Sequence, residues 1–403
     1  MLEGWRQVRL GDALSQYVAP ITVEPEQFYT NLGVQWYAGG TFQREKKRGR
    51  DMKATRLFTV RPRQFIYNRM FVTEGSFALV GDQHAGGVVS NEFPAFYVDE
   101  TIVLPEYLIL HFQQQTVWAS VASKATGTTK SRRRWKEAQL VEYRMMCPSV
   151  PEQRRIVDLI RSVDDAIEAS DAEAREADSL TERLRAVPLP GAPMQLGELL
   201  TSIDSGHSVA TSNSESEGPK LLRISAIQRG RFKPSEFKRV GDATLPSRAQ
   251  VRDGDVLMTR SNTPERVGFV GLADNVGDDC FMPDLIWRLV PNTQISPQYL
   301  VEILSSGYGR AELMARASGT SSSMKKISKA RIKNILIPKP LPEDQERFVA
   351  PIMAAKQASD AARAHAEALR TLRSNLLTVL LSGEHVIPAS YDQFLNLNEE
   401  AAS

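Results

Sequence analysis

Two long stretches of the chain carry small or apolar residues at alternating steps of four and three, which is the seam of a coiled coil. Both seams are narrow and rich in alanine, so the pattern predicts two long helices that pack on each other. The alternative is that each helix docks separately on its own domain. Pro351 in the second seam predicts a kink or a late helix start. The seam residues are Ile156, Ile160, Val163, Ile167, Ser170, Ala174, Ala177, Thr181 and Leu184, then Phe348, Pro351, Ala355, Ala358, Ala362, His365, Leu369, Leu372, Leu376 and Val379.

The segments that precede the two seams have a different pattern, with short β-like runs broken by Gly, Pro and Asn. Examples are Arg56–Val60, Gln64–Tyr67, Asp255–Met258 and Leu285–Val290. Each segment then continues into a predicted helix with proline near its start, Pro105–Ala122 in the first and Pro297–Ala317 in the second. The pattern therefore predicts two α+β domains.

The second half of the chain repeats the first, with an offset that grows from 186 to 192 residues. The matches keep their order, and the later ones are the clearest. Ala125-Thr126-Gly127-Thr128 corresponds to Ala317-Ser318-Gly319-Thr320, and Pro151-Glu152-Gln153 corresponds to Pro342-Glu343-Asp344-Gln345. A repeat of this length is a duplicated domain with its connector, not a solenoid unit. Two copies imply two similar sites.

Charge follows the same division. Residues 1–150 carry 19 basic against 14 acidic residues and residues 190–341 carry 20 against 15, whereas 151–189 carry 6 against 10 and 342–403 carry 5 against 9. A polyanion would therefore bind the globular segments and not the helices. The 403-residue chain has no apolar run long enough to span a membrane, and its N-terminus lacks a signal-peptide pattern, which predicts a cytoplasmic location. Cys147 and Cys280 have no partners at metal-ligand spacing and are expected in the core.

Lysine and arginine neutralise phosphates, whereas Arg, Asn, Gln, Ser and Thr read base edges. Both segments supply such residues in loops, although a basic run can also be a solvated face. Of the adjacent Arg132, Arg133 and Arg134, two are expected to reach phosphate. The candidate DNA-binding residues are Gln43, Arg44, Lys46, Lys47, Arg48, Arg50, Asn68, Arg69, Gln83, His84, Lys130, Arg132, Arg133 and Arg134 in the first segment, and Arg229, Arg231, Lys233, Arg260, Ser261, Asn262, Arg266, Lys325, Lys326 and Lys329 in the second.

Signals of catalysis are weak. Asn91-Glu92-Phe93-Pro94 lacks the second proline of a DNA methyltransferase motif. Glu45-Lys46-Lys47 and Glu236-Phe237-Lys238 match half of a nuclease motif, but neither follows Pro-Asp at suitable spacing. The chain has no phosphate-binding Gly-rich loop with Lys, and its five histidines are dispersed. We therefore expect no catalytic residue and no metal site in this chain.

The duplicated motifs resemble those of the specificity subunits of type I restriction-modification systems. The resemblance is carried by the Trp5–Asp12 opening, the Gly254–Ser261 stretch, the two Ala-Thr/Ser-Gly-Thr tetrads and the two Pro-Glu openings of the helices. It implies an α+β fold with two similar target-recognition domains, separated by two long helices that form an antiparallel coiled coil with a pseudo-twofold repeat. The expected divisions are 1–150 and 190–341 for these domains, 151–189 and 342–385 for the helices, and 386–403 for a tail of unassigned role.

The same resemblance implies partners. These are double-stranded DNA, two methyltransferase subunits seated on the helices, and translocase-nuclease subunits in the restricting form, with no membrane. It implies no cofactor in this chain, since S-adenosylmethionine is expected on the methyltransferase partner. Two other hypotheses stay open at this point: a self-sufficient metal-dependent nuclease that uses a Glu-x-Lys site, and a coiled-coil assembly protein that binds no nucleic acid.

Overall fold

The structure is a computed structural model that describes residues 4–127, 133–189, 191–209, 215–241, 244–319 and 324–395. It divides into two compact units. Unit 1 consists of residues 1–169 and 366–403, and unit 2 consists of residues 170–365. The α+β fold class predicted from the sequence is confirmed. In the described part of the chain, the helices are all too short or too polar to cross a membrane.

A four-stranded antiparallel sheet lies at the centre of unit 1, in the order Phe77–Leu79, Phe65–Tyr67, Ala95–Val98, Leu14–Tyr17. A three-stranded sheet has the order Val88–Val89, Arg56–Thr59, Pro20–Thr22. Three strand pairs complete the β-structure: Arg6–Arg9 with Arg144–Cys147, Phe28–Tyr29 with Lys47–Arg48, and Leu32–Val34 with Thr41–Gln43. The shorter helices are Leu10–Ala13, Pro105–Phe112, Gln115–Lys124 and Glu137–Val141.

Unit 2 repeats the four-stranded sheet and the terminal strand pair of unit 1, but its three-stranded sheet is built differently and contains one parallel strand pair. Its four-stranded sheet has the order Val270–Leu272, Val256–Thr259, Ile286–Pro291, Leu200–Ser205, which is the order of unit 1. Its three-stranded sheet has the order Phe237–Arg239, Glu215–Leu222, Cys280–Phe281. The strand pairs are Ala192–Gln195 with Leu336–Lys339, Ile227–Gln228 with Arg231–Phe232, and Ser261–Asn262 with Lys325–Lys326. The shorter helices are Leu196–Leu199, Pro297–Ser305, Gly307–Arg316 and Lys329–Lys333.

Each predicted helix that follows the sheets is in fact two helices. The prediction of single helices over Pro105–Ala122 and Pro297–Ala317 was wrong because a turn interrupts each of them at the same point of the repeat. In unit 2 Ser306 makes this break. Its backbone is extended, and its hydroxyl accepts a hydrogen bond from the Gly309 amide, so it caps a new helix.

Two long helices were predicted from the seams, and both are present. The central helix runs over Val150–Arg185 and the C-terminal helix over Pro342–Ser382, each roughly 55–60 Å long at ~1.5 Å per residue. In unit 1 Arg373 of the C-terminal helix donates to Asp164 of the central helix at 3.0 Å. In unit 2 Asp178 accepts from the Ser359 hydroxyl at 2.8 Å, and Ser170 lies 3.1 Å from the His365 ring. Partner numbers rise on one helix as they fall on the other, so the helices are antiparallel.

The first predicted seam is buried, from Ile156 to Thr181, although Ile167 and Leu184 are half-buried. In the second seam, every other predicted position lies one residue before the residue that is actually buried. Pro351, Ala358, His365 and Leu372 are exposed, whereas Ile352, Ser359 and Ala366 are completely buried. The residues on both sides of this seam are mostly small and differ little in hydrophobicity, so the sequence does not show which of two neighbouring positions faces the other helix. The helix also continues through Pro351, so the prediction of a late start was wrong.

Residues of the tail pack on the start of the central helix, within unit 1. The Arg155 guanidinium donates to both carboxylate oxygens of Asp392, at 2.7 and 2.8 Å. Glu152, almost fully buried, accepts from the Ile387 amide at 3.0 Å, and Tyr391 donates to Asp158 at 2.9 Å. The described part of the tail is therefore integral to unit 1. Cys147 and Cys280 are free and buried, as predicted, and burial raises the pKa of both thiols.

Candidate nucleic-acid interface

In unit 1 the strand end at Asn68–Arg69 is joined to the segment that follows the second short helix. We call the described residues of that segment the strap; they are 126–127 and 133–135 in unit 1, and 318–319 and 324–327 in unit 2. Thr126 and Arg134 exchange main-chain hydrogen bonds of 3.1 and 2.9 Å, and the Trp135 amide donates to the Arg69 carbonyl at 3.1 Å. These bonds bring two groups of predicted DNA-binding residues together. Lys130 and Arg132 lie outside the described residues.

Unit 2 has the same construction, at an offset of 192 residues along the strap. Ser318 and Lys326 exchange main-chain hydrogen bonds of 2.8 Å each, and the Ile327 amide donates to the Arg260 carbonyl at 3.0 Å. Ser261 and Asn262 pair with Lys326 and Lys325 as antiparallel strands. Residues that are more than 60 positions apart in the sequence therefore form one surface, and this surface occurs once in each unit.

The strap site of unit 1 contains acidic as well as basic groups. The Arg69 guanidinium donates to the Glu137 carboxylate and to the Asn91 carbonyl, and Arg134 donates to Glu92 at 2.9 Å. All four of these charged side chains are partly buried. Their charges balance within the cluster. Two other candidates differ in exposure: Arg133 is exposed, whereas Asn68 is buried and its side-chain oxygen accepts from the Met70 amide at 3.0 Å, which closes a turn.

The strap site of unit 2 is more basic. Lys329 stands where unit 1 has Glu137, 192 residues earlier. The Arg260 guanidinium and the Lys329 ammonium both lie over the Trp287 ring, 5.8 and 5.6 Å from its centroid. Lys326 and Arg266 are exposed, and Asn262 is half-buried, whereas Ser261 is buried. The two copies therefore share main-chain hydrogen bonds and differ in side-chain chemistry.

The first basic run lies on a second surface of unit 1. Arg44, Lys47 and Lys53 line a cleft of about 380 Å³ together with Glu45 and Asp51. Gln43, Arg44, Lys46, Lys47 and Arg50 are exposed. Arg48 lies 5.0 Å from the Phe28 ring centroid and, with Arg50, pairs with Glu26. The Thr41 hydroxyl lies 2.7 Å from the His84 ring. Thr41 begins the strand Thr41–Gln43, so the candidates Gln83 and His84 lie beside the start of the strand that leads into this basic run.

The corresponding run of unit 2 contacts the long helices. Arg229 pairs with Glu182 at 2.8 Å and donates to the Ser305 carbonyl at 2.6 Å. Arg231 pairs with Asp178 and Asp360. These contacts give both arginines a structural role within unit 2, since their charges are already balanced by helix carboxylates. Lys233 is exposed. A DNA contact by any of the three remains a prediction.

Unit 2 contains a buried ion cluster that was not predicted from the sequence. The Glu302 carboxylate, 1% exposed, accepts from Arg185 at 2.6 and 2.8 Å and from Lys356 at 2.8 Å. Burial lowers the pKa of Lys356. The sequence does contain a sign of this cluster. Glu302 interrupts an otherwise apolar helix face, and the residue at the same position of the first copy is Leu110. Within the described ranges, His, Cys, Asp and Glu side chains form no group of three that could hold a metal.

Comparison with known proteins agrees with this duplicated architecture. No family model matches the chain. The specificity subunit of the type I restriction enzyme EcoEI from Escherichia coli is 28% identical over 151 residues, which span 36% of this chain and 25% of that protein. A chain from a structure on complex assembly and conformational transition of the type I R-M system is 20% identical, with a TM-score of 0.57 over 94% of this chain and 98% of its own.

The type I restriction-modification S subunit from M. genitalium is 13% identical, with a TM-score of 0.53 over 93% of this chain and 96% of its own. The chain resembles type I specificity subunits. At these identities the solved structures establish a shared fold. The resemblance predicted from the duplicated motifs is therefore confirmed in sequence over one stretch and in fold over nearly the whole chain.

Proposed function

We propose that this chain is a DNA-specificity subunit of a type I restriction-modification complex. The observation that carries the proposal is the strap site, which occurs in both units with the same main-chain hydrogen bonds. Charged and polar side chains surround it, and the site in unit 2 is the more basic one. The similarity to type I specificity subunits supports it independently. The chain itself supplies recognition, and the partner subunits supply catalysis.

In this proposal each globular domain reads one half of a bipartite DNA site. The sequence-based divisions, 1–150 and 190–341 for the reading domains with 151–189 and 342–385 as helices, belong to the same proposal. Shared main-chain geometry would place both sites against DNA in the same way. Different side chains, such as Glu137 in one and Lys329 in the other, would read different bases.

The helices are proposed to set the spacing of the half-sites and to seat two methyltransferase subunits, with S-adenosylmethionine bound on those partners. The helices carry the acidic segments of the chain and repel DNA, so their exposed faces suit protein partners better than phosphate. Translocase-nuclease subunits join in the restricting form.

The experiment is co-expression of this chain with a type I methyltransferase subunit, followed by mapping of methylated bases in the host genome. We expect a methylated bipartite motif with an unspecified gap, which disappears when this chain is omitted. Methylation that persists without the chain, or a continuous motif, would contradict the proposal. Cleavage of DNA by the purified chain with magnesium would instead support the nuclease hypothesis.

A further inference from the structure

Four of the candidate DNA-binding residues of unit 2 lie on one hairpin connection, between the strands Val256–Thr259 and Val270–Leu272. They are Arg260, Ser261, Asn262 and Arg266. Arg266 is exposed at the tip of this connection, and Asn262 lies in the part that precedes the tip. The strand pair of Ser261–Asn262 with Lys325–Lys326 holds the first part of the connection, whereas the tip is held mainly by short-range bonds. The Val267 amide donates to the Thr263 carbonyl at 2.9 Å, and the Gly268 amide donates to the Thr259 carbonyl at 2.9 Å. A segment held by such short-range bonds needs an outside support to keep its side chains in a fixed place.

Arg310, on the helix Gly307–Arg316, provides that support. Its guanidinium donates to the Val267 carbonyl at 2.8 Å and to the Glu265 carbonyl at 3.1 Å, and it lies 4.7 Å from the centroid of the Phe269 ring. The residue is 7% exposed. Within the described residues, the hydrogen-bond partners of its guanidinium are these two main-chain carbonyls. A charge buried without a carboxylate is costly, and the hydrogen bonds to the two carbonyls and the contact with the Phe269 ring offset part of that cost.

Unit 1 has a support at the equivalent position. Trp118 stands 192 residues before Arg310, and it packs on the connection between the strands Phe65–Tyr67 and Phe77–Leu79. A Cβ at Gly75 would overlap the Trp118 indole, so only glycine allows this approach. Gly75 and its counterpart Gly268 both have left-handed backbones, with φ of 65° and 73°. The same helix position therefore supports the same hairpin connection in both copies, by apolar packing in one and by hydrogen bonds in the other.

We propose that Arg310 in unit 2 and Trp118 in unit 1 are positioning residues for DNA recognition, each holding the reading connection of its own unit. The inference rests on the proposed function of the strap sites. Arg310 itself is buried and does not touch DNA. Its loss would let Arg266 at the tip move while the strand pair at Ser261–Asn262 and the sheet stay folded. Recognition of one half-site would therefore weaken and recognition of the other would not.

The test uses the complete complex with its methyltransferase subunits and duplexes in which each half-site is altered in turn. Arg310→Met removes the hydrogen bonds and keeps the volume, and Arg310→Lys keeps the charge and one donor. Arg266→Ala, in the tip itself, identifies the half-site that unit 2 reads. We expect Arg310→Met to reduce discrimination at that half-site about tenfold, within the range of a bidentate base contact, and to leave the other half-site unchanged. Arg310→Lys should restore part of the discrimination.

Hydrogen exchange provides a second readout that does not depend on DNA. In Arg310→Met the amides of Val267 and Gly268 should exchange faster, while amides of the strand Val256–Thr259 keep their protection. The proposal is overturned if both half-sites weaken equally, if discrimination is unchanged, or if protection is lost throughout unit 2 in both Arg310 variants. If the wild-type complex shows no sequence preference at all, the proposed function fails, and the exchange pattern alone then decides whether Arg310 holds the connection.

Discussion

Replacing Glu302 by leucine should destabilise unit 2 strongly. Glu302 is almost fully buried and balances Arg185 and Lys356, whose side chains are 4% and 12% exposed. Leucine is the residue at the equivalent position of unit 1, so the helix itself tolerates it. The substitution leaves two cations buried without their common carboxylate, and breaking a buried ion pair costs about 3–5 kcal/mol. Arg185 keeps its bond to Glu182, so we expect a loss near ~3 kcal/mol.

The measurement is native-state hydrogen exchange, because a chain with two units does not unfold in one step. A loss of ~3 kcal/mol lowers amide protection in unit 2 roughly a hundredfold. Arg347→Ala is the matched control, since Arg347 is 78% exposed and its pair with Asp344 contributes under about 1 kcal/mol. Replacing Arg185, Glu302 and Lys356 together by Leu, Leu and Met should restore most of the stability. A loss below about 1 kcal/mol in Glu302→Leu, or an equal loss in unit 1, would refute the reasoning.

Three further predictions concern unit 1, the strap and the helices. Burial lowers the pKa of His111 to about 4, so between that value and the ordinary pKa of about 6.5 the unfolded chain binds one more proton than the folded chain. The free energy of unfolding of unit 1 should therefore fall by up to ~3 kcal/mol as pH falls through this window. In His111→Gln the free energy of unfolding of unit 1, measured by hydrogen exchange, should depend less on pH. Arg133→Ala should reduce the slope of log affinity against log salt by ~0.9, whereas Arg134→Ala should change it less because Arg134 pairs with Glu92; equal effects would contradict the observed pairing. Insertion of one heptad after Ala169 and one after His365 should lengthen the gap between half-sites without changing either half-site, as methylome mapping would show; an unchanged gap in an active variant would mean that the helices do not set the spacing.

The sequence predicted those features that depend on local pattern or on internal comparison. The seam from Ile156 to Thr181 was visible because large apolar residues mark its beginning. The phase of the second seam was not visible, since Ala358 and Ser359 are nearly equivalent in size and only the partner helix distinguishes them. The repeat also predicted two similar sites, and the strap bonds at Arg134 and Lys326 match at a constant offset.

Charge patterns predicted less. Arg229 and Arg231 have the composition of a DNA-binding run, but their carboxylate partners lie up to 129 residues away in the sequence. Ser261–Asn262 and Lys325–Lys326 lie side by side because they form a long-range strand pair, which the charge pattern does not predict. A basic residue on a hairpin is attracted to the nearest carboxylate as much as to phosphate, and only the fold determines which of them is near.

The most direct test of the account is replacement of residues 190–341 by the corresponding domain of a relative with a different DNA target, followed by methylome mapping of the active complex. If each unit reads its own half-site, one half of the bipartite motif changes to that of the donor, while the other half and the gap stay the same. A motif in which both halves change, or in which neither does, would contradict the claim that each unit reads its own half-site.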